Sequence, residues 1–206
     1  MLEGDLVVLT GDYVHLTPRS IESGISVLAR LRARYGAVAV LGNHEHWEGA
    51  ESCRVVFRRI GIPLIDNARL FLTPEGLVPE ARPGQCLCIG GVGDLWEDAV
   101  RFDLAIDGAP DSTPRIVLSH NPDTAEMVRQ SHRVDLMLSG HTHGGQVSFP
   151  YVGPPVNVSA YGRKYLQGLC HGPHCPVIVS CGVGLAGVPA RFGTRPDITE
   201  VRLRRT

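Results

Sequence analysis

The amino-acid sequence predicts an α/β fold that turns mostly β toward its end. Short apolar runs at residues 6–9, 38–41, 116–118 and 136–138 have the length of buried strands, not helices. Between the first two, Ile21, Ile25, Leu28 and Leu31 recur at steps of four and three, the spacing of one helix face. Beyond Gln146 the helical period disappears, and the segments 165–169, 177–180 and 198–203 read as strands of an antiparallel tail.

The elements follow in order. Residues 6–9 form a strand that ends at Thr10-Gly11-Asp12, and the helix from Ile21 stops near Gly36. Residues 38–41 form a second strand, ending at Gly42-Asn43-His44. A second helix is expected from Ala50 to Ile60, with Cys53, Val56, Phe57 and Ile60 inward and Gly61 closing it. Residues 62–65 start a short strand, and 67–83 read as a strand pair around Pro74-Glu75-Gly76. Residues 86–92 make a strand ending at Gly93-Asp94, with Cys86 and Cys88 on one face as small core residues. The run 116–118 leads to Ser119-His120-Asn121-Pro122, where Asn121 as N-cap and Pro122 as first helical residue predict a helix to about Gln130. The run from Asp135 to Leu138 leads into Ser139-Gly140-His141-Thr142-His143.

Composition narrows the function classes. The chain has 206 residues, 43% hydrophobic and 20% charged, which is enough for one well-buried core and implies a single domain over 1–206. A formal net charge of −1 gives no basic excess, so no nucleic-acid partner is expected. A chain of this size has no need for its 6 cysteines as a disulfide framework. No apolar run approaches the roughly 20 residues of a membrane span. The start, Met1 followed by Glu3, Gly4 and Asp5, does not resemble a signal peptide, so the chain as written is expected to be soluble, its compartment unread.

Four apolar runs end alike, passing through one or two small residues to Asp12, to Asn43 with His44, to His120, and to His141 with His143. In open α/β sheets ligands bind just beyond the carboxyl ends of the strands, so these loops are expected to converge. Carboxylate, amide carbonyl and imidazole make a ligand set suited to Mn, Fe, Zn or Co. Two such ions about 3.5–4 Å apart would orient a phosphate and supply a hydroxide nucleophile. His15, His46 and His132 lie outside this pattern and read as incidental. No Ser-His-Asp arrangement or Gly-x-Ser-x-Gly elbow is present.

Gly11-Asp12, Gly42-Asn43-His44-Glu45, His120 and Gly140-His141-Thr142-His143 resemble, in order and spacing, the motifs of the calcineurin-like metallophosphoesterase family along nearly the whole chain. The run Gly-His-Thr-His-Gly-Gly-Gln at 140–146, with Gly182-Val183-Gly184 and residues 191–198, is similar to a bacterial branch of membrane-associated phosphodiesterases and UDP-2,3-diacylglucosamine pyrophosphohydrolases. The resemblance implies a β-sandwich of mixed sheets flanked by helices and two divalent metal ions. It implies Asp12 as a bridging ligand, with Asn43, His120 and His141 completing one metal site and His143 serving the other. His44 would act at the leaving group, as general acid or positive charge, and Glu45 would steady His44 by a hydrogen bond from behind. The implied reaction is hydrolysis of a phosphodiester or pyrophosphate bond in a small phosphorylated substrate, lipid-linked or a nucleotide sugar.

The family's opening Asp-x-His motif does not occur before Asp12. This reads as an N-terminal shortening that removes the first strand and helix and leaves the second metal site with Asp12 and His143 alone. Any membrane-associating segment would belong to the same absent part. The alternative is a genuinely short domain of the same fold that binds a phosphorylated ligand or partner without turnover. Cys170-His171-Gly172-Pro173-His174-Cys175 has metal-ligating residue types but reads as a hairpin turn. Gly90-Gly91-Val92-Gly93-Asp94 reads as a structural loop, and Trp47 and Trp96 either border a cleft or pack.

Overall fold

The computed structural model describes residues 4–82, 84 and 86–204, so Glu3 and the Pro83 end of the expected strand pair lie outside the described residues. Strands β1 (Val7–Leu9) and β2 (Ala37–Ala39) pair in parallel, Val8 opposite Val38, and Ala39 bridges in parallel to Leu64. Between them run α1 (Ile21–Ser26) and a 3-10 turn, Val27–Arg30. The larger sheet has seven strands in the order β4-β3-β5-β6-β7-β9-β8. Its members are β3 (Ala68–Thr73), β4 (Gly76–Val78), β5 (Leu87–Gly91), β6 (Arg115–Leu118), β7 (Leu136–Ser139), β8 (Gly168–His171) and β9 (Pro176–Val179). The central run β5, β6, β7, β9 is parallel, and the antiparallel pairs β3/β4, β3/β5 and β8/β9 lie toward the edges.

Strand alternation sorts the apolar side chains into layers. Val38 and Val40 of the small sheet meet Ile89, Ile116 and Leu118 of the large one, with Ile65 between them. The intervening residues point outward: Ala37 and Ala39 pack under Ile21, Ile25, Cys53, Val56 and Phe57 of the helices. On the far side Val117, Met137 and Val177 pack under Phe102, Ala105 and Ile106 of α3 (Phe102–Ile106) and under Tyr165. The architecture is therefore the expected sandwich flanked by helices, with the larger sheet mixed and the two-stranded one parallel. Among the described residues no helix is long and apolar enough to cross a membrane.

Six elements differ from expectation. The first helix keeps α geometry only to Ser26 and passes into the 3-10 turn that ends at Arg30, short of Gly36, and residues 62–65 form only the bridge at Leu64. The second helix, α2 (Asn43–Ile60), begins seven residues early, at the strand-end motif itself, bends at Gly49 and closes at left-handed Gly61. Residues Pro122–Met127 form a 3-10 turn instead of an α-helix. Asp123 there is committed to the Ser159 hydroxyl and the Ala160 N–H, and Val128 is already extended, so the segment is pinned before an α-helix can propagate. Tyr165 ends a 3-10 turn, and the strand beside it starts only at Gly168. Residues 198–203 form no strand: Asp197 ties the chain to Ser180 and Gly182, after which Ile198 and Leu203 stand exposed.

Candidate metal centre

The carboxyl ends of β1, β2, β6 and β7 meet at one edge of the sandwich, and each delivers a ligand-type side chain. Asp12 Oδ2 lies 3.2 Å from His120 Nε2. The same nitrogen lies 3.1 Å from Asn43 Oδ1 and 3.0 Å from His141 Nδ1, which is itself 3.1 Å from Asn43 Oδ1. Asp12, His120 and His141 form the one cluster of three or more His, Cys, Asp or Glu ligands found among the described residues. Atoms sharing a metal at about 2.0–2.2 Å stand roughly 3.0–3.5 Å apart, which is the spacing of this set. His141 turns Nδ1 to this set, while its other ring nitrogen, Nε2, is buried without a protein partner, so the ring has a nitrogen free for a further bonding partner. The donor set and its spacing therefore fit a divalent ion.

The backbone is shaped for this convergence. Gly11 has φ +94°, and a Cβ there would come within 2.5 Å of His120 Nδ1. A Cβ on Gly42 would lie 2.3 Å from Asp12 Oδ1. Both positions are thus closed to any side chain. Asp12 and His141 themselves adopt φ of 60° and 68°, the left-handed region that functional sites tolerate at an energetic cost.

Neighbouring groups fix the ligands. The His120 Nδ1–H donates to the Thr10 carbonyl at 2.6 Å, which turns Nε2 toward the cluster, where a metal would take the place of its proton. Burial opposes charge on His120, but Asp12, the Thr10 carbonyl and Asp94 outweigh it and push its pKa up to about 9. Burial would raise Asp12, yet His120 and His44 hold its carboxyl down at about 2. Burial, reinforced by His120, drives His141 down to about 3, so its imidazole is neutral.

Glu45 corrects one expectation. Its carboxylate does not contact the His44 ring but clamps the β1 loop to the start of α2. Oε2 accepts from the Asp12 and Gly42 N–H groups, both at 2.8 Å, and Oε1 from those of Tyr13 at 2.6 Å and Val14 at 3.1 Å. Burial and Asp12 push Glu45 up to about 7, against the N–H groups that favour its charge.

His44 sits at the rim. Its N–H donates to Asp12 Oδ1 at 3.2 Å, and its Nε2 lies 4.0 Å from Asp12 Oδ2. His143 stands outside the tight set: its carbonyl accepts from Arg191, whose guanidinium also donates to the carbonyls of Cys181, Gly182 and Gly184. Burial lowers the His143 imidazole, Asp12 raises it, and Arg191 and His120 lower it further.

The sequence pattern missed some neighbours and left others, the two tryptophans among them, open. His15, read as incidental, is 3.1 Å from His44, Nδ1 to Nδ1. Asp94 is buried at the end of β5 and caps the turn that sets Trp96 edge-on to His141, ring centroids 4.5 Å apart. Trp47 packs edge-on to His44 at 4.8 Å and stacks on Trp96, so the two half-exposed tryptophans border the centre. Burial raises Asp66 and Asp94, and His46 is near enough to oppose it at both, while His132 stacks on Phe102. The six-residue Cys-His segment is a β8/β9 hairpin: Cys170 and Cys175 are buried in the core and His171 and His174 point to solvent.

Comparison with known proteins agrees with this geometry. The family profile of calcineurin-like phosphoesterases matches residues 2–145. Phosphodiesterase YaeI of Escherichia coli is 33% identical over 97% of this chain and 70% of its own length. A metallophosphoesterase of Helicobacter pylori is 32% identical over 98% of this chain and 51% of its own length, so the chain spans about half of that relative. Metallophosphoesterase YkuE of Bacillus subtilis is 29% identical over 98% of this chain and 68% of its own length. The chain belongs to the calcineurin-like phosphoesterase family.

Proposed function

We propose that the protein is a metal-dependent hydrolase that cleaves a phosphodiester or pyrophosphate bond at a dinuclear centre. The observation that carries this reading is the convergence of four strand ends that brings Asp12 Oδ2, Asn43 Oδ1 and His141 Nδ1 each to within 3.2 Å of His120 Nε2, a spacing that suits a shared ion. Bound divalent ions would polarise a phosphoryl oxygen and make a water nucleophilic at neutral pH. The four side chains would hold one ion, and Asp12 with His143 would contribute to a second. That second ion needs further ligands of the Asp-x-His type, absent before Asp12 in these 206 residues.

His44 stands beside the cluster without joining it, where it would meet the phosphoryl or leaving oxygen. Trp47 and Trp96 would wall the substrate on that side. The name of the Escherichia coli relative supports a diester substrate. A lipid-linked substrate is supported by exposed Phe149, Val188 and Phe192, which lie on the segments that Gln146 ties together just past His143. Mn²⁺-dependent hydrolysis of bis-p-nitrophenyl phosphate tests the reaction, and a diacyl-sugar pyrophosphate against its deacylated form tests the lipid preference. That only one tight ligand cluster stands among the described residues favours one rival, a domain of the same fold that binds phosphorylated ligands without turnover. No hydrolysis after fusing an upstream Asp-x-His segment would establish the rival.

A further inference from the structure

We infer that His15 is a positioning residue that locks His44 in one neutral tautomer, with its Nε2–H aimed at the metal centre, and that the loop carrying Gly187 sets this state. The inference rests on the proposed reaction only for its functional consequence. The Gly187 N–H donates to His15 Nε2 at 3.1 Å. That nitrogen is therefore an acceptor, so the proton of a neutral His15 ring sits on Nδ1. Nδ1 lies 3.1 Å from His44 Nδ1 and donates to it. His44 Nδ1 is then the bare nitrogen and its proton sits on Nε2, the atom 4.0 Å from Asp12 Oδ2. A cation on either ring would set two donors against each other, at Gly187 or between the rings.

Two features hold the relay in place. The rings of His15 and His44 meet edge to face, centroids 4.5 Å apart, with Trp47 against the other side of His44. Gly187 is held by Gln146, which donates to the carbonyls of Ala186 and Val188 and accepts from the Ala186 N–H. The loop at 182–193 is thereby linked to the orientation of a proton at the centre, 143 positions earlier in the chain, through one imidazole. In this tautomer His44 acts as a fixed neutral hydrogen-bond donor to the phosphoryl or leaving oxygen and transfers no proton, a role that a neutral imidazole is known to fill.

The test uses the full chain labelled with ¹⁵N-histidine, metal-free and with diamagnetic Zn²⁺, read by long-range ¹H–¹⁵N correlation of the imidazole nitrogens. His44 is assigned by its loss in His44→Gln. The expected result is His44 protonated on Nε2 and bare on Nδ1, with His15 the reverse. His15→Asp, which can only accept, is expected to move the His44 proton to Nδ1, and His15→Phe to leave a mixture. With Mn²⁺ present, His15→Phe should lower kcat about 10- to 100-fold with little change in KM, because the donor matters most in the transition state. His15→Asn, which keeps an N–H donor, should recover most of that loss. A His44 proton found on Nδ1 in the wild type, or a tautomer indifferent to residue 15, overturns the inference. A chain fused to an upstream Asp-x-His segment that shows no turnover but the expected tautomers overturns the proposed reaction and leaves the relay standing.

Discussion

Replacing Glu45 by Gln changes one atom and should damage the centre without touching a ligand. Each carboxylate oxygen accepts two backbone N–H bonds: Oε2 from Asp12 and Gly42, Oε1 from Tyr13 and Val14. Whichever oxygen becomes an NH₂ group, two N–H donors lose their acceptor and face another donor. Glu45 is fully buried, so water does not compensate. At about 1–3 kcal/mol for each buried group left unpaired, the cost is about 2–6 kcal/mol. For a domain of this size roughly 2–4 °C per kcal/mol applies, so Tm should fall by about 5–20 °C. The unpaired donors are either the N–H of Asp12 itself with that of Gly42, or those of Tyr13 and Val14 next along the Asp12 loop, so metal affinity should fall by about 10- to 100-fold, the usual result of losing a group that orients a ligand. Thermal unfolding followed by circular dichroism, with metal titration by calorimetry, measures both. A Tm within about 2 °C of wild type and unchanged affinity would refute the clamp, and would mean that residue 45 is carried as the neutral acid.

Three further outcomes follow from the same geometry. His44→Ala should keep its metal but lose about 100-fold or more in kcat, whereas parallel metal loss would make His44 a ligand. His120→Ala should abolish metal binding at the four-ligand site, because it removes the nitrogen that all three other ligand atoms approach; full metal content by elemental analysis would contradict this. In chelated protein the Asp12 contribution to stability is present above pH 3.8 and lost as pH falls through about 2, while the His120 contribution is present below pH 6.5 and lost as pH rises through about 9. Glu45, raised from 4.5 to about 7, acts in the same direction as His120. Urea midpoints of the metal-free protein should therefore decline on the alkaline side, and added Zn²⁺ should flatten that limb by replacing the His120 proton; a midpoint that rises between pH 6.5 and 9 without metal would show the assignment wrong.

The ligand set was legible because each member follows a short apolar run and a small residue, which places it just past a strand end. Asp12, Asn43, His120 and His141 needed only that local pattern, and the structure brings them together. The rest of the centre is built from contacts that leave no local trace. Glu45 reaches back 33 positions to the N–H of Asp12, and its four partners are backbone groups with no sequence signature. His15 meets His44 across 29 positions, and Gly187 meets His15 across 172. Arg191 was visible only as part of a family-like ending, yet it ties four carbonyls around the His143 side. The tail failed for another reason: Ile198, Val201 and Leu203 give the segment a strand-like composition, but composition does not supply a free edge to pair with. The expected helix after Pro122 had correct start signals and was cut short by the tertiary commitments of Asp123.

The most direct measurement is anomalous diffraction from crystals of the protein grown with Mn²⁺. The account predicts a strong peak within about 2.0–2.3 Å of Asp12 Oδ2, Asn43 Oδ1, His120 Nε2 and a ring nitrogen of His141. A peak elsewhere, or these four side chains unchanged around no ion at saturating Mn²⁺, would contradict it.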